Sequence, residues 1–239
     1  MSVLTVVRHG QASFLAEDYD KLSPLGERQA AALGEYWARN RVKIDAIYTG
    51  PKKRQIDTAA IAGAAYASAG LAWPAPVVLQ GLDEYRVDEV MRRYVPDLAA
   101  ADRRVGDLRR AVQQAKGTPA LPLAIEKLFR RVSTMWVQKE FDAEEIEDWS
   151  RFSGRVRDAL AETRNHGRRG AHVVVVTSAG PVAVALQTAL GLDEVTTLEL
   201  SWLVRNTACS EFLFSGDRFS LWSFNTTPHL SDAAMITYR

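Results

Sequence analysis

Leu4-Thr5-Val6-Val7-Arg8-His9-Gly10-Gln11-Ala12-Ser13 begins as an apolar, β-branched run and breaks off at an arginine, a histidine and a glycine. A short run of this kind reads as a buried strand. In an open parallel sheet, ligands bind in the crevice outside the carboxyl ends of the strands, which is where Arg8, His9 and Gly10 stand. Gly10 lets the chain turn sharply and lets backbone N–H groups approach a ligand with no Cβ in the way. Arg8 offers a planar fork of donors suited to phosphate oxygens. His9 carries a ring nitrogen that attacks phosphorus when neutral, or donates when charged. A strand end that merely holds a basic pair would read the same way, so the rest of the chain has to decide.

Outward from this stretch, strand and helix signals alternate. Ser23 reads as an N-cap with Pro24 at the first helical position, opening a helix to about Arg41. Ile44–Tyr48 is a second strand, stopped by Thr49-Gly50-Pro51. A helix from about Lys52 to Ala65 then carries Arg54 and Thr58 four residues apart, on one side. Val77–Leu79 is a third strand, leading into Gly81-Leu82-Asp83-Glu84. From Tyr85 to about Arg164 the pattern is helical and charged, with breaks expected near Gly117-Thr118-Pro119 and at Pro122. Ala171–Thr177 is the clearest buried strand, and Ser178-Ala179-Gly180-Pro181 opens a helix to about Leu190. Cys209–Phe214, a Ser215-Gly216-Asp217 turn and Phe219–Phe224 form a hairpin. The sum is an α/β fold: a three-layer α/β/α arrangement, its sheet mostly parallel with an antiparallel edge. Residues 1–239 are read as one domain, with 85–164 mostly a helical cap insertion packed over the ligand edge.

The bulk numbers fit this. The 239 residues are 47% hydrophobic and 25% charged, with a formal net charge of +1. That is ordinary for a globular protein and gives no global pull toward nucleic acid or a membrane surface. No apolar run reaches about 18 residues, so no ordinary spanning helix is expected, and no signal segment precedes the first strand. A cytoplasmic protein is the expectation. The single cysteine, Cys209, has no partner for an intramolecular disulfide and reads as a small core residue. No clustered Asp/His ligand set suggests a metal.

Six motifs in register resemble the histidine phosphatase superfamily, the phosphoglycerate-mutase-like proteins, over most of the chain outside the cap. Arg8-His9-Gly10 matches the signature. Leu22–Ala30 is similar to the start of the first helix. Tyr48-Thr49-Gly50-Pro51-Lys52-Lys53-Arg54 with Thr58-Ala59 resembles the serine-proline-x-x-arginine segment, with Gly50 where serine is usual. Leu82-Asp83-Glu84 resembles the stretch holding the acidic residue, Trp149-Ser150-Arg151-Phe152 with Arg155-Val156 the helix before the last parallel strand, and Asn225–Leu230 the C-terminal segment. The resemblance implies a phosphoglycerate-mutase-like domain in which His9 is the nucleophile and forms a phosphohistidine. Arg8 and Arg54 clamp the phosphoryl oxygens, Gly10 lines the same site, and Glu84 is the general acid, its pKa raised by apolar cover. It implies no cofactor and no metal.

One departure matters. The family's second histidine follows the last parallel strand in a serine-histidine-glycine turn; here the turn reads Ser178-Ala179-Gly180. Losing one preorganised donor typically costs about 10²–10³ in kcat. The N–H groups of Ala179 and Gly180 and the Ser178 hydroxyl are candidate replacements, helped by the positive end of the following helix. His229 is a further candidate, set against a structural role; His166 and His172 are read as a loop residue and a strand start. Ala179 is native to a branch with altered chemistry, or marks a catalytically retired relative, or is an engineered change; the sequence leaves all three open.

The expected activity is a phosphomonoesterase acting on a small phosphorylated substrate. The alternatives are a pseudophosphatase binding phospho-ligands or inorganic phosphate, a mutase, and an unrelated α/β binding protein. From Tyr85 to Arg131 eleven basic side chains face six acidic ones, a net of +5 that could steer anions or simply be solvated helix surface. Nucleic acid and membrane partners are not expected, and a homodimer stays open.

Overall fold

The structure is a computed structural model and describes residues 1–13, 20–165 and 169–238. The loop expected from Phe14 lies largely outside the described residues, as does His166. The chain divides into two compact units: Met1–Glu84 with Ser153–Arg239, and Tyr85–Phe152.

The first unit is built on six strands: β1 (Ser2–Arg8), β2 (Ala46–Thr49), β3 (Val77–Val78), β4 (His172–Thr177), β5 (Cys209–Ser215) and β6 (Arg218–Thr226). Their order is β3-β2-β4-β1-β5-β6. The first four are parallel; β5 runs antiparallel to β1 and β6 antiparallel to β5, the expected antiparallel edge. Val173 to Val176 in β4 are fully buried, which explains their unbroken apolar run: a central parallel strand is covered on both faces.

Helices α1 (Pro24–Arg39) and α2 (Lys53–Ala67) cover one face. Leu33, Trp37, Ala59, Ala62 and Tyr66 pack there on Val7, Ile47, Val174, Val176 and Cys209. The Ser23 hydroxyl caps α1 by accepting from the Gly26 N–H, with Pro24 opening the helix as expected. Helix α7 (Ala179–Leu190) packs on β1 and β6, and α8 (Glu194–Ser201), which the sequence reading missed, packs on α7. The Asp193 side chain caps α8. The hairpin turn uses Gly216 at φ 54°, a backbone conformation that favours glycine.

The second unit holds α3 (Val87–Ala101), α4 (Arg103–Gln114) and α5 (Leu121–Val137). It also holds the first residues of α6 (Trp149–Arg164), whose later turns belong to the first unit. Tyr85 stacks on Trp136 at 5.8 Å and meets Trp149 and Phe152 edge-on. The expected break at Pro122 is corrected: Pro122 sits in the first turn of α5, where a missing N–H costs nothing. The break falls instead at Asp102, which follows the last residue of α3 and whose side chain caps α4 by accepting from the Val105 N–H. Many arginines of this unit pair within it, Arg131 with Asp102 and Glu140, Arg130 with Glu126, Arg110 with Asp107, Arg93 with Glu89 and Glu145.

Candidate functional site

Four chain segments meet at the carboxyl edge of the sheet of the first unit. They are Arg8-His9-Gly10 after β1, Gly50–Arg54 after β2, Leu82–Glu84 after β3 and Ser178–Gly180 after β4. The β1–β4 register pairs Arg8 with Thr177, and the His9 N–H donates to the Thr177 carbonyl at 2.8 Å. His9 and Ser178 therefore leave adjacent strands side by side.

His9 is only 5% exposed. Its Nδ1 lies 2.7 Å from the Gly10 carbonyl oxygen, which can only accept, so Nδ1 carries the proton. Nε2 is then left with its lone pair, and the Nε–H of Arg54 points at it from 3.0 Å. Burial pushes the imidazole pKa well below its usual value. The charges of Arg54 and then Arg8 push the same way, against the Gly10 carbonyl. The ring is neutral, with a fixed tautomer and a directed lone pair.

Arg54 is held as tightly. Its Nη1 binds the Asp20 carboxylate at 2.8 Å, and Asp20 also accepts from the Lys53 N–H at the start of α2. A carboxylate at a helix N-terminus is favourably placed. Thr58, one turn on, donates to the Arg54 carbonyl at 2.6 Å and accepts from the Gly10 N–H at 3.0 Å. One hydroxyl thus ties the histidine loop to the arginine helix. A Cβ on Gly10 would meet the Gly26 carbonyl oxygen at 2.5 Å, so only glycine fits. Arg8 sends Nη1 to the carbonyls of Val204 and Tyr238, the latter at 2.7 Å. That nitrogen clips the chain's C-terminal segment to the strand end.

Glu84 accepts from the Gly180 N–H at 3.1 Å, at the start of α7. Its backbone is fixed by Arg155, which donates to the carbonyls of Gly81, Asp83 and Glu84. The Thr177 hydroxyl, donating to the Leu82 carbonyl at 2.7 Å, locks the same loop to β4. Ala179 presents a methyl group at the first position of α7.

His229 lies elsewhere. The Thr207 hydroxyl donates to the Asn206 carbonyl, so it accepts from His229 Nε2–H at 2.9 Å. The Thr207 N–H in turn donates to the carbonyl of Arg8 at 3.0 Å. His229 thus supports the strand end from behind, and burial lowers its pKa to about 4. His172, at the start of β4, meets the Thr5 hydroxyl at 2.7 Å, at the opposite end of the strand from Ser178. Among the described residues no three His, Cys, Asp or Glu side chains gather into a group that could hold a metal ion.

The sequence reading missed Asp20, Gln55 and Asn206. Gln55 accepts from the Lys52 N–H and donates to the Ser178 hydroxyl, and Asn206 donates to the His9 carbonyl at 3.1 Å. The one available signal was helical spacing: Arg54, Gln55 and Thr58 are polar residues crowded on the buried side of α2.

The six-stranded mixed sheet flanked by helices, with His9 and Arg54 buried together at its carboxyl edge, defines the class as an α/β protein with a candidate site at that edge. The family model of the histidine phosphatase superfamily, branch 1, matches residues 4–134 and 121–227, and the chain belongs to that superfamily. No curated protein matches. Among solved structures, mycobacterial glucosyl-3-phosphoglycerate phosphatase is similar at 17% identity and TM-score 0.63, over 95% of this chain and 100% of that one. A putative alpha-ribazole-5'-P phosphatase from Escherichia coli is similar at 16% and 0.62, over 95% and 98%. A phosphoglycerate mutase from Bacillus anthracis is similar at 16% and 0.60, over 95% and 94%. At such identities the likeness speaks for the fold.

No helix among the described residues is long and apolar enough to cross a membrane.

Proposed function

We propose that the protein is a phosphomonoesterase in which His9 accepts the phosphoryl group and passes it to water. The observation that carries this is the His9 ring itself, with Nδ1–H held by Gly10 and the Nε2 lone pair aimed at the Arg54 guanidinium. Such an imidazole needs no base before it attacks. In the first step the Nε2–P bond forms and the P–O bond to the alcohol breaks, while Glu84 gives its proton to the departing oxygen. In the second, water attacks phosphorus, Glu84 takes the water proton, and the N–P bond breaks. As the phosphoryl group arrives, the Arg54 Nε–H turns from His9 to a phosphoryl oxygen. The charges of Arg54 and Arg8 stabilise the transition state. Gly10, Gly180 and Ala179 supply backbone lining, and Ser178 a hydroxyl.

Ala179 stands where the superfamily's second histidine is expected, and this favours one other reading: a phosphate-binding protein with little or no turnover. The two separate cleanly. Release of phosphate from para-nitrophenyl phosphate and a panel of phosphoesters, lost in His9→Ala, is the expected result. Saturable phosphate binding with no release from any ester would replace the phosphatase with the binder.

A further inference from the structure

Serine at an N-cap ordinarily turns its hydroxyl inward, accepting from the N–H two or three residues on. Ser178 caps α7 without that bond. The sequence explains why: the residue three on is Pro181, which has no N–H, and the Gly180 N–H goes to the Glu84 carboxylate. The hydroxyl is instead taken up by Gln55, which is fully buried and whose Nε2 lies 2.7 Å from Ser178 Oγ. The orientation of this amide is dictated by its other end. The Lys52 backbone N–H, which can only donate, meets Gln55 Oε1 at 2.9 Å, so Nε2 must face Ser178 and must donate. Ser178 Oγ is therefore an acceptor toward Gln55, and its own proton points elsewhere. Among the described residues that proton goes to no protein acceptor, in a side chain only 1% exposed. A buried hydroxyl proton calls for an acceptor. Ser178 leaves β4 beside His9, and the side chain of the next residue, Ala179, has nothing to donate.

We infer that Gln55 is a positioning residue that makes Ser178 a dedicated donor to the phosphoryl group at His9. This rests on the reaction proposed above. Gly50 is part of the arrangement, because a Cβ there would stand 2.2 Å from Gln55 Oε1 and drive the amide out.

The test uses Ser178→Ala, Ser178→Thr, Gln55→Leu, Gln55→Glu and the Gln55 changes combined with Ser178→Ala. The readouts are kcat and KM for para-nitrophenyl phosphate and, separately, the calorimetric Kd for inorganic phosphate. Ser178→Ala should lower kcat by about 10²-fold, the usual effect of removing one preorganised donor, and Ser178→Thr should keep most of it. Gln55→Glu is the discriminating change. Its carboxylate still accepts from Lys52 but offers Ser178 an acceptor, turning the hydroxyl proton away from the phosphoryl group. It should therefore lower kcat about as much as Ser178→Ala, and add nothing when Ser178 is already alanine. Multiplied effects in the double variants would overturn the inference. So would Ser178→Ala keeping kcat and phosphate Kd within about threefold of the parent, where a lost bond to a charged group should cost tenfold or more. If the parent hydrolyses no ester yet Ser178→Ala and Gln55→Glu weaken phosphate binding non-additively, the hydrolytic reading falls and the donor assignment stands. Turnover that is normal in every variant does the reverse.

Discussion

Thr58 shows how much of the site depends on a side chain that need not touch the substrate. Its hydroxyl accepts from the buried Gly10 N–H and donates to the Arg54 carbonyl, so it sets the spacing between the loop carrying His9 and the helix carrying Arg54. Thr58→Val keeps the shape and removes both bonds. Leaving the Gly10 N–H without an acceptor should cost about 1–3 kcal/mol of stability. The relaxation of the loop should lower kcat by roughly tenfold or more, because a misplacement near 1 Å can cost about 10²-fold. Thr58→Ser, which restores the hydroxyl, should recover most of both. Equal activity in Thr58→Val and the parent, read by kcat at matched folding, would show that His9 and Arg54 hold their places without it. The sequence placed Thr58 on the same side of the helix as Arg54, since that follows from a spacing of four. It could not place Gly10 against Thr58, because that contact depends on how β1 and α2 come together.

At the scale of elements, α1 and α2 touch through a glycine. A Cβ on Gly34 would stand 2.0 Å from the Ala62 carbonyl oxygen of α2, so the two helices approach as closely as backbones allow. Gly34→Ala must push α2 outward, and Arg54 with it; overpacking of this kind costs roughly 1–3 kcal/mol. Gly154 in α6 is the opposite case, with nothing within 4 Å of an added Cβ. There alanine should stabilise by about 0.5–1 kcal/mol through helix propensity alone. Thermal melts of the two variants should therefore move in opposite directions; a Gly34→Ala midpoint at or above the parent's would remove the packing argument for Gly34, and a fall in Gly154→Ala would remove the propensity argument for Gly154. Elements were legible where local chemistry defines them: Ser23-Pro24 opening α1, the valine run of β4, and the turn of the hairpin. They were illegible where an end depends on one capping side chain. Asp102 ends α3 and starts α4 with no glycine or proline to mark it. Pro122 looked like a break but serves as an N-terminal residue of α5. Helix α8 is short, and its carboxylate cap at Asp193 is an ordinary surface residue in sequence.

Across the whole molecule, the residues of the candidate site come together because strand order gathers the carboxyl ends of β1, β2, β3 and β4 along one edge. Arg8, His9, Arg54 and Glu84 were legible because each follows a recognisable strand. Asp20, Gln55 and Asn206 were not, because their partners are set by sheet order and helix packing. The same burial that shapes the site makes the fold sensitive to acid. His9, His172 and His229 all have pKa values lowered from 6.5 in the folded chain, with burial the largest cause of each. The unfolded chain takes up their protons first as pH falls, so the stability they confer is complete above about pH 6.5 and is lost below it. For His229 the fall from 6.5 to about 4 corresponds to at most ~3 kcal/mol across that window. The carboxylates of Asp102, Asp148 and Asp193, held below 3.8 chiefly by hydrogen bonds, add to the loss only at lower pH. Unfolding free energy from urea titrations should therefore drop by several kcal/mol between pH 7.5 and pH 4.5. His229→Gln keeps an amide donor for the Thr207 hydroxyl but cannot take up a proton, so it should start lower at pH 7.5 and fall by ~2–3 kcal/mol less over the same range. An identical fall in the parent and in His229→Gln would mean that His229 is as easily protonated in the folded chain as in the unfolded one, contrary to its burial behind the strand that carries His9.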